Sequence, residues 1–229
     1  MNTKPTITVY SNGSMVYFCY LNKVKYSKLM SQFNADLYKE SILAAFLDEK
    51  YKEQGWYAER IYDKETQKQG IDVIFRGKRL DRRVDEKAQL SYLNKSLETF
   101  ALELSYFIGN TQKQGWLFDS HKLTDGYAFV FDIKVNNTAK TLESVSDLVS
   151  CEVVFVKRLL LLNELAKHEL NINTCSTFDE QLRSSAEIEL EYPDDFRFRI
   201  SRQLEEVPVN LLVRKSFLEA IGKKYVFKA

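Results

Sequence analysis

Between residues 69 and 89 the chain reads Gln69-Gly70-Ile71-Asp72-Val73-Ile74-Phe75, a basic turn, and then Val84-Asp85-Glu86-Lys87-Ala88-Gln89. Both pieces have the length and the β-branched content of strands, and the short polar turn between them makes them neighbours in a sheet. Strand side chains alternate faces, so Asp85, Lys87 and Gln89 point one way while Val84, Glu86 and Ala88 point the other. Asp72 opens the first strand and can share the face of Asp85. Neither face of the second strand reads as simply solvated or simply buried. Two carboxylates at this separation form the hard oxygen set that Mg²⁺ takes, and the lysine beside them is a fixed positive charge where a phosphate would sit.

The rest of the chain bounds what can surround that pair. At 229 residues, 45% of them apolar, with eight Gly and three Pro, it supports one substantial core and excludes disordered or linker-rich organisation. A net charge of +1 removes global basicity as an argument for nucleic acid, so any such reading rests on local patches. Cys19, Cys151 and Cys175 show neither CxxC nor histidine-linked spacing, which argues against a zinc site or a disulfide framework and for a reducing cytoplasm. His121 and His168 stand by no serine, cysteine and acid set of the triad kind. No apolar leader follows Met1, and no apolar run approaches the roughly 18 residues of a membrane helix, so the expectation is a cytoplasmic protein with no membrane partner. GxxxxGK[ST] and GxGxxG are absent, which disfavours a nucleotide-driven motor.

Periodicity and turn signals predict an α/β chain. Residues 7–26 read as a hairpin around Ser11-Asn12-Gly13-Ser14. A helix is predicted over about residues 35–54, with Asn34 or Asp36 as cap and Gly55 at its C′ position. Strands are predicted at 56–62, 71–76, 83–89, 100–108 and 127–135, and Asp63-Lys64-Glu65-Thr66 is read as a turn. An amphipathic helix over 154–169 is expected to pack Leu159, Leu160, Leu162 and Leu165. Residues 171–185 are polar and read as a soft boundary, followed by strands at 186–192, 196–202 and 209–214 and a short helix at 216–223. The expected organisation is a hairpin over 1–33 packed on the core, a core over 34–170 and a C-terminal extension over 171–229 with no assigned role.

The motif resembles that of the PD-(D/E)xK nuclease superfamily, in which Gly-x-Asp is followed on the next strand by Asp/Glu-x-Lys. Here these are Gly70-Ile71-Asp72 and Asp85-Glu86-Lys87, and the likeness covers roughly residues 34–135. It implies a restriction-endonuclease-like core, a mixed β-sheet flanked by helices. It implies Asp72 and Asp85 as ligands of Mg²⁺ (or Mn²⁺) and Lys87 as the catalytic lysine. Relatives often add a glutamate from the helix before the sheet, which makes Glu40 the first candidate for a third catalytic and metal-binding acid and Glu59, on the first strand, the second. Gln89 continues the active face and would position water or substrate; Gln89-Leu90-Ser91-Tyr92 is one residue short of the Gln-x-x-x-Tyr of the RecB-like branch, which is therefore not assigned. The implied activity is that of a metal-dependent DNA endonuclease or DNA-processing nuclease, with DNA as partner and a homodimer as one arrangement. The competing expectation is an inactive nuclease-like domain that binds DNA or a protein.

Each feature also has a plainer reading. Asp85 and Lys87 could be an exposed ion pair on an edge strand. The basic turn, with Arg76, Lys78, Arg79, Arg82 and Arg83, could bind phosphates or be a solvated hairpin loop. Trp56, Tyr57, Tyr92, Trp116 and Phe118 could stack on exposed bases, although aromatics in a chain with 13% of them more often belong to the core.

Overall fold

The structure, a computed structural model, describes residues 23–138 and 141–229, with side chains from residue 37 onward. The hairpin expected over residues 7–26 lies outside the described residues as far as residue 22, and residues 23–26 are helical. The chain divides into two units, Met1–Tyr38 and Lys39–Ala229. The second carries the sheets and the site.

Helix α1 spans Lys23–Glu53, so it starts well before the predicted residue 35, and Asn34 and Asp36 are interior rather than capping positions. Its end is as the sequence reads: Gly55 has φ +71°, and the Trp56 N–H closes the last turn on the Tyr51 carbonyl at 2.9 Å. Then follow β1 (Ala58–Arg60), α2 (Lys64–Lys68), β2 (Val73–Phe75), β3 (Arg82–Ala88), β4 (Thr99–Ile108), β5 (Thr111–Gln114), β6 (Gly126–Val135) and β7 (Leu148–Lys157). The chain continues with α3 (Arg158–Lys167), α4 (Ile172–Ser184), β8 (Glu189–Tyr192), β9 (Phe196–Ile200), β10 (Val209–Arg214), α5 (Lys215–Ile221) and β11 (Lys223–Lys228).

Two sheets result. The first runs β1-β2-β3-β6-β7-β11 and is mixed, its one parallel pair being β3–β6. The second runs β5-β4-β10-β9-β8 and is antiparallel. The protein is thus mixed α/β, with helices flanking the sheets. Residues 171–229, expected as an extension, are woven into both sheets: β10 lies between β4 and β9, and β11 borders the first sheet on β7.

Several local expectations give way for identifiable reasons. The predicted helix over 154–169 begins only at Arg158; the β-branched and aromatic run Val153-Val154-Phe155-Val156 completes β7, whose alternate residues enter the two cores. In α3 the buried leucines are Leu161 and Leu165, while Leu159 is exposed. The stretch read as a boundary is α4, capped by the Asn171 side chain, which accepts from the backbone N–H groups of Asn173 and Thr174. Cys175 and Leu182 face in, together with Asp179, which is paired with Arg183 at 2.8 Å, while most of the other polar residues face out. The Asp63 turn is the N-cap of α2.

The first sheet is covered on both faces. In the Lys39–Ala229 unit, Ile42, Leu43, Phe46, Leu47 and Tyr51 of α1 pack with Val73, Val84, Val130 and Val153. On the other face Tyr127, Phe129, Phe131 and Val154 pack against Phe100, Leu102, Phe198 and Leu211 of the second sheet. This double cover explains why β3 shows neither an apolar nor a solvated face.

Candidate active site

The register of β2 on β3 pairs Val73 with Val84, which sets Asp72 opposite Asp85. The Asp72 N–H donates to the Val84 carbonyl at 2.9 Å, and Asp72 Oδ2 accepts from the Glu86 N–H at 2.8 Å. Parallel pairing of β3 on β6 places Asp85 beside Tyr127 and Lys87 beside Phe129, on the face that meets the second sheet. There Asp85 is buried, with its side chain 3% exposed, and Lys87 Nζ lies 2.7 Å from Asp85 Oδ1 and 5.3 Å from the centroid of the Trp116 ring. Asp85 Oδ2 has no hydrogen-bond partner among the described residues. The motif glycine has a physical role beside it. Gly70 has φ +77°, and a Cβ there would stand 3.2 Å from both Asp85 Oδ2 and Lys122 Cδ, so glycine both permits the turn and allows the close packing around that oxygen.

The electrostatics follow from this crowding. Burial and then the Asp85 charge push the Asp72 carboxyl up to about 7, against the Glu86 N–H and Lys87, which favour its ionised form. Lys87 is raised above the ordinary amine value, because Asp85 and Asp72 more than offset a burial that by itself would lower it. Burial pushes the Tyr127 hydroxyl up to about 12, with Asp85 adding to the shift and Arg158 opposing it. A third acid, Glu103 of β4, belongs to the same cluster: burial raises it, while the Lys87 charge and the Trp116 backbone N–H lower it. The sequence reading missed Glu103. Its signal is a single carboxylate inside the apolar run Phe100-Ala101-Leu102-Glu103-Leu104.

The donor set suits a hard divalent cation. Two carboxylates face each other, one is pushed toward its protonated form by the other's charge, and a buried oxygen of the pair accepts nothing; Mg²⁺ or Mn²⁺ between Asp72 and Asp85 would relieve all three. No group of three or more His, Cys, Asp or Glu among the described residues is arranged as a metal cage. The protein would therefore contribute two side-chain ligands and leave the rest to water and substrate, a common arrangement for Mg²⁺.

The other sequence candidates lie elsewhere. Glu40 is exposed on α1, the helix that covers the face opposite the acid pair. Glu59 shares the face of Asp72 by register but is exposed and ion-paired to Arg76. Gln89 is tied to the second sheet, its Nε2 donating to the Thr99 carbonyl at 2.8 Å. In the basic turn Arg76 also pairs with Asp81 at 2.6 Å, and Arg83 is clamped to Asp125 at 2.8 Å. Lys78, Arg79 and Arg82 are exposed and make no ion pair among the described residues. Trp116 and Phe118 pack on the core, as does Trp56, whereas Tyr57 and Tyr92 are exposed.

On the α1 side of β3 the neighbouring acid is fully engaged. Glu86 accepts from the Tyr51 hydroxyl at 2.7 Å and is ion-paired to Arg60, which also binds Asp48 at 2.6 Å. Burial, with the Glu86 charge beside it, raises the Tyr51 hydroxyl well above its ordinary value.

Searches against protein-family models, curated proteins and solved structures found no match for this chain. No helix among the described residues is long and apolar enough to cross a membrane.

Proposed function

We propose that this protein is a metal-dependent phosphodiester hydrolase acting on DNA, built on a restriction-endonuclease-like core of the PD-(D/E)xK kind. The observation that carries the reading is the buried, unpartnered Asp85 Oδ2 facing Asp72, with Lys87 at 2.7 Å from the same carboxylate. Asp85 Oδ2 is a hard anionic donor without a hydrogen-bond partner among the described residues, enclosed beside Gly70 and on the same face as Asp72.

Hydrolysis joins the oxygen of water to phosphorus and breaks one ester P–O bond, with a proton passing to the leaving oxygen. Asp72 and Asp85 would hold Mg²⁺ or Mn²⁺, whose chemistry when bound is to lower the pKa of water and to offset charge on the phosphoryl oxygens. Lys87 stays protonated at neutral pH, so it serves as a fixed positive charge at the phosphate rather than as a base. Trp116 holds the ammonium from one side through its ring, and the bond between Gln89 and the Thr99 carbonyl fixes the end of β3. Glu103, on β4 and close enough to feel the Lys87 charge, would be a further acid near the site, beside the candidates Glu40 and Glu59.

The test is incubation of the purified chain with plasmid, linear and single-stranded DNA in Mg²⁺, Mn²⁺ or EDTA, beside folded Asp72→Asn, Asp85→Asn and Lys87→Ala variants. Metal-dependent cleavage lost in all three variants supports the reading. No cleavage, together with no Mn²⁺ bound by the wild type, replaces it with an inactive binding domain.

A further inference from the structure

Beyond the acid pair, the Lys39–Ala229 unit has a second concavity, at the end of the first sheet where β3 and β6 begin and β7 ends. It is a cleft of about 570 Å³ with a largely apolar wall. Trp56, Phe75 and Tyr225 form that wall as one edge-to-face group, with ring centroids 5.7 Å apart for Trp56 and Phe75 and 4.8 Å for Trp56 and Tyr225. Tyr57 stands at the wall and is 72% exposed. Trp56 packs against Tyr51, Phe75, Phe155, Tyr225 and Phe227, so the ring that the cleft leaves exposed is that of Tyr57.

The charge around this wall has one sign available. Arg76 and Asp125 line the cleft too, but Arg76 is committed to Glu59 and Asp81, and Asp125 to Arg83. Arg82, Lys157 and Lys223 also line it, are exposed, and make no ion pair among the described residues; Lys223 rests its ammonium 5.1 Å from the Tyr225 ring centroid. An exposed tyrosine ring on an aromatic wall, rimmed by uncommitted cations, matches a ligand that alternates flat rings with anions. Arg82 and Val84 of β3 line the cleft from the α1 face of the sheet, whereas Asp85, about 10 Å along the strand from Arg82 at roughly 3.3 Å per residue, faces the second sheet.

We propose that this cleft binds single-stranded DNA, with an unpaired base stacked against Tyr57 and the Trp56–Tyr225 wall and the adjoining phosphates held by Arg82, Lys157 and Lys223. A base within a duplex has its faces covered by its neighbours, so only an unpaired or extruded base can enter such a wall. The inference rests on the nucleic-acid reading of the acid pair and adds the form of substrate that the protein grips.

The experiment measures anisotropy of a fluorescein-labelled thymidine oligonucleotide titrated with the full chain in EDTA, so that binding is read without cleavage. Tyr57 is exposed, and its truncation leaves the core intact. Tyr57→Ala is expected to weaken binding about tenfold, the size of one lost base stack. The Arg82→Gln/Lys157→Gln pair is expected to lower the slope of log K against log salt by about 1.4, near 0.7 per single-strand phosphate contact. An oligonucleotide of abasic sites, which keeps the phosphates and lacks the rings, is expected to bind about tenfold more weakly than the thymidine strand. Equal binding by Tyr57→Ala, equal binding of the abasic strand, or no binding by the wild type overturns the proposal. Metal-dependent cleavage with an indifferent cleft leaves the hydrolase reading standing without this one; cleft-dependent binding without cleavage does the reverse.

Discussion

Asp85 and Glu86 are neighbours on β3, both shielded from solvent, and their surroundings are opposite. Glu86, facing α1, is bound by Tyr51 and Arg60, and Arg60 is in turn held by Asp48. Asp85, facing the second sheet, keeps one oxygen without a partner and stands across from a second acid. A buried charge that is fully hydrogen-bonded holds elements together, because removing either partner strands the other in a low dielectric. A buried charge that is left short destabilises the empty protein, and it persists where a ligand completes it. The two faces of one strand thus separate a satisfied acid from an unsatisfied one.

The sharpest break of this comparison exchanges the consequences of losing each acid. Asp85→Asn is expected to cut DNA cleavage at least about 100-fold while costing less stability than the loss of Glu86, since the lost pair with the partly exposed Lys87 is offset by relief of the repulsion with Asp72. Glu86→Ala is expected to cost about 3–5 kcal/mol in urea unfolding, because Arg60, 9% exposed, loses its buried counter-ion. If instead both substitutions unfold the chain equally and neither spares the other property, the faces are alike and the distinction falls.

A smaller effect reads the unsatisfied face directly. The Asp72 carboxyl is raised to about 7 from an unfolded value of 3.8. Below about pH 4 both states hold the proton and the native state is unpenalised. Between 4 and 7 the unfolded chain releases its proton and the native one keeps it, so this group's contribution to stability declines as pH rises. Wild type in EDTA is expected to lose stability relative to Asp72→Asn over that window. At pH 8, Mg²⁺ at 100 times its dissociation constant is expected to restore about 2.7 kcal/mol. Differential scanning calorimetry of the two proteins with and without Mg²⁺ checks the sign; parallel curves would remove the coupled acids.

How much of this was legible beforehand differs between the same two faces. The alternation over Asp85, Glu86 and Lys87, with Gly70 and Asp72 upstream, placed Asp72, Asp85 and Lys87 on one face, because strand period and hairpin register are local. The network around Glu86 was invisible, since Asp48 and Tyr51 reach it only through the packing of α1 on the sheet and Arg60 reaches it from β1 across β2. The second sheet was legible in its strands and not in its pairing: β10 joins β4 across more than a hundred residues, and no local pattern encodes that. The same long-range pairing carries Glu103 toward Lys87, which explains why the sequence offered Glu40 and Glu59 as third acids instead. β7 was misread for a different reason, its apolar run being buried on both faces and so lacking the alternation that marks a strand.

The mildest prediction concerns that third acid and sharpens the comparison within one face. Glu59 and Glu103 both lie outside the central pair, but Glu59 is half exposed and held by Arg76, whereas Glu103 is partly buried and its carboxyl feels Lys87. A surface ion pair contributes little, so Glu59→Gln is expected to leave cleavage within about twofold of wild type and stability within about 0.5 kcal/mol. Glu103→Gln keeps the shape and an acceptor for the Trp116 N–H while removing the charge that helps place Lys87, and is expected to lower kcat about tenfold with little change in KM. A mere packing role for Glu103 would instead move KM, kcat and melting temperature together or not at all. Equal kinetics of the two glutamine variants would show that the functional face ends at Asp72, Asp85 and Lys87, and that burial beside a lysine is not enough to recruit a third carboxylate.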